Sequence, residues 1–220
     1  MIGIAIPVHN EEKYLHTCLC AIQAAAAHAA LGGEEVRVAV VLDDCSDGSG
    51  AIVAAFDVDV IVQSARNVGL ARAAGATHLL EAGARWLAFT DADTVVSGDW
   101  LAMQLSLGAD AVCGTVTVDD WSVHGERQAL VRARFSAAYR DVDGHAHIHG
   151  ANLGVSAQAY LRVGGFPPLP CSEDVALVQA LLHSGAAIAW SAAPRVVTSA
   201  RTDSRASGGF GATLSAFAVA

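Results

Sequence analysis

Apolar runs of strand length alternate with helical patterns through the first 94 residues, and this alternation leaves few folds open. Residues 2–8, 36–42, 58–62 and 85–89 read as strands. Between them, Leu15, Leu19, Ile22 and Ala26 fall on one helical face, a second helix starts at Ser49, and a third runs from Asn67 to about Glu81. Strands joined by helices cross over right-handedly and lie parallel. The expectation is an α/β fold, a mostly parallel, Rossmann-like central sheet flanked by helices. Val36 to Leu42 is rich in β-branched residues, as suits a strand covered on both faces. Pro7 should end the pairing of the first strand. Asn10 is placed to cap the first helix, with Glu11 and Glu12 in its first turn, and Gly32-Gly33 to stop it.

The second half is less regular. A short helix is expected over 99–107, a strand over 111–118, a helix over 121–140 and a polar loop over 141–149. A strand over 151–155 and a helix over 157–163, ended by Gly164-Gly165, follow. Ser172, Glu173 and Asp174 open a helix that reaches His183, and the stretch from Thr202 is rich in Ser, Gly and Ala and reads as mobile or as a flap. A length of 220 residues with 53% hydrophobic content suits one domain with a sizeable core.

A formal net charge of −9 disfavours nucleic acid as a partner. The five cysteines are scattered and form no Cys-x-x-Cys, so a reducing, cytoplasmic setting is expected rather than a zinc knuckle or disulfide framework. The first residues do not make a signal peptide, and no transmembrane segment is expected. No Gly-x-Gly-x-x-Gly follows the first strand, which weighs against a dinucleotide oxidoreductase.

The strand at residues 85–89 ends in Thr90-Asp91-Ala92-Asp93. Open α/β sheets bind ligands at the carboxyl ends of their strands. Two carboxylates there repel one another and are costly to desolvate, and a hard divalent cation, Mn²⁺ or Mg²⁺, removes both problems. Mg²⁺ commonly takes one or two carboxylates and completes its shell with water and phosphate oxygens. A helix cap or a solvated turn is the plainer alternative.

Further pieces stand in order around this one. They are Ile6-Pro7-Val8-His9-Asn10-Glu11-Glu12, Leu42-Asp43-Asp44-Cys45-Ser46-Asp47-Gly48-Ser49 and Asn67-Val68-Gly69-Leu70-Ala71-Arg72-Ala73-Ala74-Gly75. Gly150-Ala151-Asn152-Leu153-Gly154-Val155, Gly164-Gly165-Phe166 and Ser172-Glu173-Asp174 follow. Together they resemble an inverting, nucleotide-sugar-dependent family-2 glycosyltransferase of the GT-A fold over about residues 1–190. The resemblance implies a nucleotide-sugar-binding half at 1–94, an acceptor-binding half at 95–200 that includes a small acceptor-side lobe, and a flexible tail at 201–220. It implies a nucleotide-sugar donor, first of all a UDP-sugar, and a small-molecule, lipid-linked or glycan acceptor, with peripheral association at the inner face of a membrane compatible with it.

The same resemblance assigns roles. Pro7 and Val8 floor the base, Asp43 with Asp44 accepts from its N–H, and Glu11 reaches the ribose. Arg66, ahead of Asn67 and Gly69, or Arg72 faces the base or the diphosphate. Asp91 and Ala92 lie near the ribose, and Asp91 and Asp93 hold the metal. Asp174 is the general base for the acceptor hydroxyl, with Glu173 supporting it. Gly69 and Gly75 let their helix pass close to the sheet or nucleotide. Arg201 and Arg205 suit contact with the diphosphate, although ordinary surface arginines would look the same.

Other readings were weighed. The Asp43–Ser49 turn hints at an EF-hand loop but has Cys45 at its third position and Ala54 at its twelfth. Glu173-Asp174 alone would serve as a helix cap. His145, His147 and His149 alternate and invite zinc, but a solvated or acceptor-facing loop is favoured. A sugar-nucleotide nucleotidyltransferase would carry a glycine-rich basic loop after the first strand, where this chain has Val8-His9-Asn10-Glu11-Glu12. A non-catalytic nucleotide-binding module would not need Asp91, Asp93 and Asp174 together.

Overall fold

Strand β1 (Ile2–Val8) carries the alternation that builds the molecule, described here in residues 1–203 and 210–219 of a computed structural model. Its Ile2, Ile4, Ile6 and Val8 point to one face, where helix α1 (Leu15–Ala26) buries Leu15, Leu19 and Ile22 against them. The other face shows only Gly3 and Ala5, joined by Ala39 of β2 (Val36–Asp43). Small residues there let helix α3 (Val68–Glu81) lie directly on the sheet, and a Cβ added at Gly75 would stand 3.0 Å from that of Ala5.

The main sheet adds β3 (Asp59–Gln63), β4 (Trp86–Phe89), β6 (Ala111–Gly114), β7 (Leu153–Ser156) and β8 (Ile188–Ser191), in the order β3-β2-β1-β4-β7-β6-β8. Only β7 runs against the rest of this sheet. The expected parallel α/β architecture is therefore present, with helices α2 (Ser49–Val53) and α4 (Trp100–Ser106) on the α1 face, and α6 (Ala157–Arg162) and α7 (Glu173–His183) on the α3 face.

The register brings the motifs to one rim. Phe89 pairs with Leu153 and Cys113 with Leu153, so the ends of β4 and β6 meet the start of β7. A 3-10 turn, Gly150–Asn152, leads into β7 at that point. Asn152 is buried there, giving Nδ2 to the carbonyls of Thr115 (2.7 Å) and Pro194 (2.8 Å) and accepting from Trp100 Nε1 (2.9 Å). A second, two-stranded sheet pairs β5 (Thr94–Val96) with β9 (Val196–Thr198), antiparallel, with Thr94 opposite Thr198. The residues after β9 are thereby laid beside Asp93.

Several local expectations are corrected. Asn10 does not cap α1: its backbone is left-handed at φ 55°, and its Oδ1 accepts from the N–H of Ser46 (2.8 Å) and Asp47 (3.3 Å), pinning the turn after β1 to the turn after β2. Helix α1 starts later, and Ala25 rather than Ala26 is its buried residue. Pro7 ends pairing with β4 after Ala5, while pairing with β2 continues to Val8. Only residues 39–43 of β2 are fully covered; Val36 and Val38 are half-buried and Arg37 is exposed. Gly125, at φ 55° and ψ −130°, breaks the long helix expected over 121–140, leaving α5 (Gln128–Ala138). The strand expected to reach Val118 stops at Gly114. The stretch 201–220, expected to be a flexible tail, carries helix α8 (Phe210–Val219), whose Leu214 is buried with Trp121, Val131 and Ala200. Among the described residues no helix is long and apolar enough to cross a membrane.

The close approach at Gly69 ties α3 to the loop ahead of α7. Its N–H donates to Leu169 O at 3.0 Å, and a Cβ there would meet Pro167 O at 2.3 Å. Gly69→Ala is expected to lower stability by about 1–3 kcal/mol, the usual cost of overpacking, because backbone rather than a side chain must yield. Chemical denaturation of the two proteins measures it.

Candidate functional site

A cavity of about 800 Å³ opens at this rim. Its lining includes Pro7 and Val8 at the end of β1, Glu11 after it, Asp43 at the end of β2, and Arg66, Asn67 and Arg72 at the start of α3. Asp91, Ala92 and Asp93 after β4, Glu173 and Asp174 at the start of α7, and Arg201 complete it. Asp44 and Gly69 are not in its lining, and Arg205 lies outside the described residues.

At one end Asp43 is buried, with Oδ1 accepting from the N–H of Ala65 (2.7 Å) and Arg66 (2.9 Å) and Oδ2 from that of Asn67 (2.8 Å). Burial pushes its pKa up, but these three N–H groups more than offset it and hold the carboxyl below the usual range. A carboxylate offers about four lone-pair positions, and with the Gln63 side chain also acting on Asp43 at most about one is left for a ligand. Asn67 is occupied as well: its Oδ1 caps α3 at Leu70 N (3.0 Å) and its Nδ2 reaches Pro168 O (3.1 Å). Arg66 pairs with Asp44 across the mouth. Asn10, Asp44, Arg66 and Ser172 all have left-handed backbones, at φ 47–60°, and all sit in the motifs of this rim. Such geometry costs on the order of 1–3 kcal/mol each and persists where surrounding bonds enforce it.

In the middle Arg72 is buried from α3. Its Nη2 meets Asp91 Oδ1 (2.5 Å), its Nε Glu173 Oε1 (2.9 Å) and its Nη1 the carbonyl of Gly150 (3.0 Å). Glu173 is almost wholly covered, and burial raises its pKa against the opposing effect of Arg72. It lines the cavity only with its covered edge, and its carboxylate is committed to positioning Arg72. Asp174 is half-buried, with Oδ2 accepting from Gly150 N and Oδ1 from Val175 N, both at 2.7 Å. No side chain caps α7 at Ser172.

Opposite, Asp93 Oδ2 accepts from Ser199 Oγ (2.5 Å) and pairs with Arg201 Nε (3.1 Å). Arg201 Nη1 also meets both oxygens of Glu11, at 2.6 and 2.7 Å. Burial raises the pKa of Asp93, Arg201 opposes this, and the charge of Asp91 adds to the rise. Asp91 and Asp93 therefore sense one another, as ligands of one cation must. Ser199 escaped the sequence reading because β9 did, although Val196-Val197-Thr198 is a β-branched run.

Among the described residues no three His, Cys, Asp or Glu side chains are grouped to hold an ion, those of the histidine loop included. His147 stacks on Tyr139 at 4.0 Å, and Tyr139 Oη accepts from Val116 N (2.8 Å) and lies 2.9 Å from His149 Nε2, to which it donates. Burial, with some help from His147 and His145, pushes His149 down to about 4, so its imidazole is neutral. His147 and His149 do line the cavity, together with the aromatic residues of α5 and α8 that the sequence reading did not single out.

The model of Glycosyl transferase family 2 matches residues 3–161, most of the chain and all the motifs but Gly164-Gly165-Phe166 and Ser172-Glu173-Asp174. The chain belongs to glycosyl transferase family 2. The solved structures agree on the GT-A fold of this family 2 domain. S. aureus TarS 1–349 in complex with UDP-GlcNAc superposes with a TM-score of 0.66 at 16% identity, over 95% of this chain and 61% of that one. The mannosyltransferase PcManGT from Pyrobaculum calidifontis, in complex with GDP-Man and Mn²⁺, gives 0.66 at 18% identity over 93% and 58%. The family 2 domain described here thus spans about three fifths of the length of these structures. No curated protein matches the chain by sequence.

Arg72 is the test of how this site is held together. Arg72→Met would leave Asp91 and Glu173 without their shared counter-charge in a buried place, and stability is expected to fall by about 3–5 kcal/mol. Arg72→Lys should recover only part of this, since an ammonium does not reproduce the planar fork that spans three partners. Denaturation midpoints of the two variants check it.

Proposed function

We propose that this chain transfers a sugar from a nucleoside-diphosphate sugar, a UDP-sugar before others, to an acceptor hydroxyl, with inversion at the anomeric carbon and with a divalent metal. One observation carries the reading. Asp174, Asp91 and Asp93 line one cavity, and Asp174 and Asp91 are tied to one buried group, since Arg72 binds Asp91 and the Gly150 carbonyl while Asp174 binds the Gly150 N–H. The complexes of TarS with UDP-GlcNAc and of PcManGT with GDP-Man and Mn²⁺ support a nucleotide-sugar donor and a metal.

Asp91 and Asp93 fit a hard cation: both offer carboxylate oxygens, and the charge of Asp91 already destabilises ionised Asp93. A metal bound there would stabilise the charge that collects on the leaving diphosphate. The rest falls to the protein's own side chains. The remaining acceptor position of Asp43 suits the imide N–H of uracil, over a floor of Pro7 and Val8. Glu11 is placed for the ribose hydroxyls and Arg201 for the diphosphate. As the acceptor oxygen bonds to the anomeric carbon, its proton passes to Asp174. The bond from that carbon to the phosphate oxygen breaks, and its electron pair leaves with the nucleoside diphosphate. A single displacement of this kind inverts the centre. The turn after β1 is braced by Glu12, whose Oε2 accepts from Gly48 N at 2.7 Å, and that is not the open basic loop of a nucleotidyltransferase.

Asp174→Asn should retain UDP binding and lose transfer by at least ~10²-fold, the usual contribution of a positioned base. If Asp174 were only part of the helix start, activity would stay near the parent's, because Asn serves there equally well. NMR of the product's anomeric configuration is the independent check, and a retained configuration excludes the mechanism. Asp93→Ala should abolish the Mn²⁺ dependence of UDP affinity in calorimetry, and an unchanged metal dependence removes Asp93 from the ligand set.

A further inference from the structure

The cavity has two unlike ends. The arginines in its lining, Arg66, Arg72 and Arg201, belong to the donor motifs, and each is paired with carboxylate. The other end is hydrocarbon: Val116, Phe135, Ala138, Tyr139, Phe210 and Phe217. Phe135 stacks on Tyr139 with centroids 4.7 Å apart, and Phe210 stands edge-on to Phe135 (5.8 Å) and to His149 (5.9 Å).

The Tyr139 hydroxyl and one ring nitrogen each of His147 and His149 are already engaged. Tyr139 Oη is held between Val116 N and His149 Nε2, and His147 Nε2 accepts from Arg140 N at 3.1 Å. What these residues present is ring surface. Phe210 and Phe217 stay only half-buried, so apolar area remains for a guest to cover. Arg127 and Arg134, which might have offered positive charge nearby, are engaged with the carbonyls of Ala218 and Phe217 at the end of α8. Among the described residues no cation lines this end. The two ends join at Gly150, which binds Asp174 and follows His149.

We propose that the apolar end is the acceptor subsite, built for an uncharged alkyl or aryl group attached to the hydroxyl-bearing part that reaches Asp174. This rests on the glycosyltransferase reading above and adds the class of acceptor to it.

Octyl, phenyl and methyl β-glucosides share their hydroxyls and differ only in the aglycone. In calorimetry on the full chain, below micellar concentrations, the octyl or the phenyl compound should bind at least about tenfold tighter than the methyl one, as burial of about two methylene groups suffices for that. A preference for octyl over phenyl points to an alkyl chain, and the reverse to an aromatic group. Phe217→Ser should erase the preference. Phe217 also packs beside Trp121 and Leu214, so Thr213→Trp provides the second variant. Thr213 is exposed and lines the cavity, and a larger ring there fills the subsite without touching the core. Equal affinity for the three glucosides, or a preference that survives Thr213→Trp, overturns the proposal. UDP binding, titrated separately, reports on the donor reading, so the two fail independently.

Discussion

The buried guanidinium of Arg72 holds the functional rim together. It comes from α3, and its three partners come from the end of β4, the turn into β7 and the start of α7. Four segments distant in sequence are thus fixed to one planar group. Moving such a group out of water is expensive, and it is recovered only when most of its N–H positions are satisfied, as they are here. The same fork sets the distance between the proposed metal ligands and the proposed base without either side touching the other. Glu173, next to that base, contributes by fixing Arg72, which is why a buried carboxylate and a half-exposed one stand side by side at one helix start.

Arg72 reaches that place only because α3 lies low on the sheet. Gly3, Ala5 and Ala39 form a shallow face, and Gly75 answers them from the helix. Gly69 then brings the first turn of α3 against the backbone of 167–169, and Asn67 adds a bond to Pro168. The proline-rich loop is fixed just before it turns into α7. Packing choices made in the core are in this way converted into the position of Asp174, some hundred residues later in the chain. Denser packing at any of these small residues would shift the site before it emptied the core.

The order of strands and helices to β4 was legible because period-2 and period-3.6 patterns alternate cleanly there. The strand-end carboxylates were legible because open α/β sheets gather function at that rim. Less was legible after Asp93. Strands β5, β8 and β9 are short, and β7 is fixed by its antiparallel neighbours rather than by its own composition. Asn10 is a good cap by residue type, but its left-handed backbone serves a bond between two loops, which no local pattern announces. Gly69 was read as relief toward the sheet or nucleotide, and its close contact is with a loop a hundred residues away. The apolar wall draws on α5, the histidine loop and α8, and no spacing rule links segments so far apart.

The charge of the site follows from the same geometry. Among the described residues, Glu11, Asp91, Asp93, Glu173 and Asp174 share the cavity with two guanidiniums that pair with members of this set, Arg72 and Arg201. With these groups ionised the surplus is negative, and an anionic diphosphate entering alone would be repelled. The divalent cation of the proposed function would neutralise Asp91 and Asp93. Arg201 spans Asp93 and Glu11 and supplies positive charge where the proposed function puts metal and ribose. If Asp93 were engaged by a cation, its hold on Arg201 would weaken, and the Arg201 fork would be free for phosphate oxygens, which it can meet bidentately. One arginine can then balance the carboxylates before the donor arrives and the diphosphate afterwards, so the rim need not expose a surplus of either sign in either state.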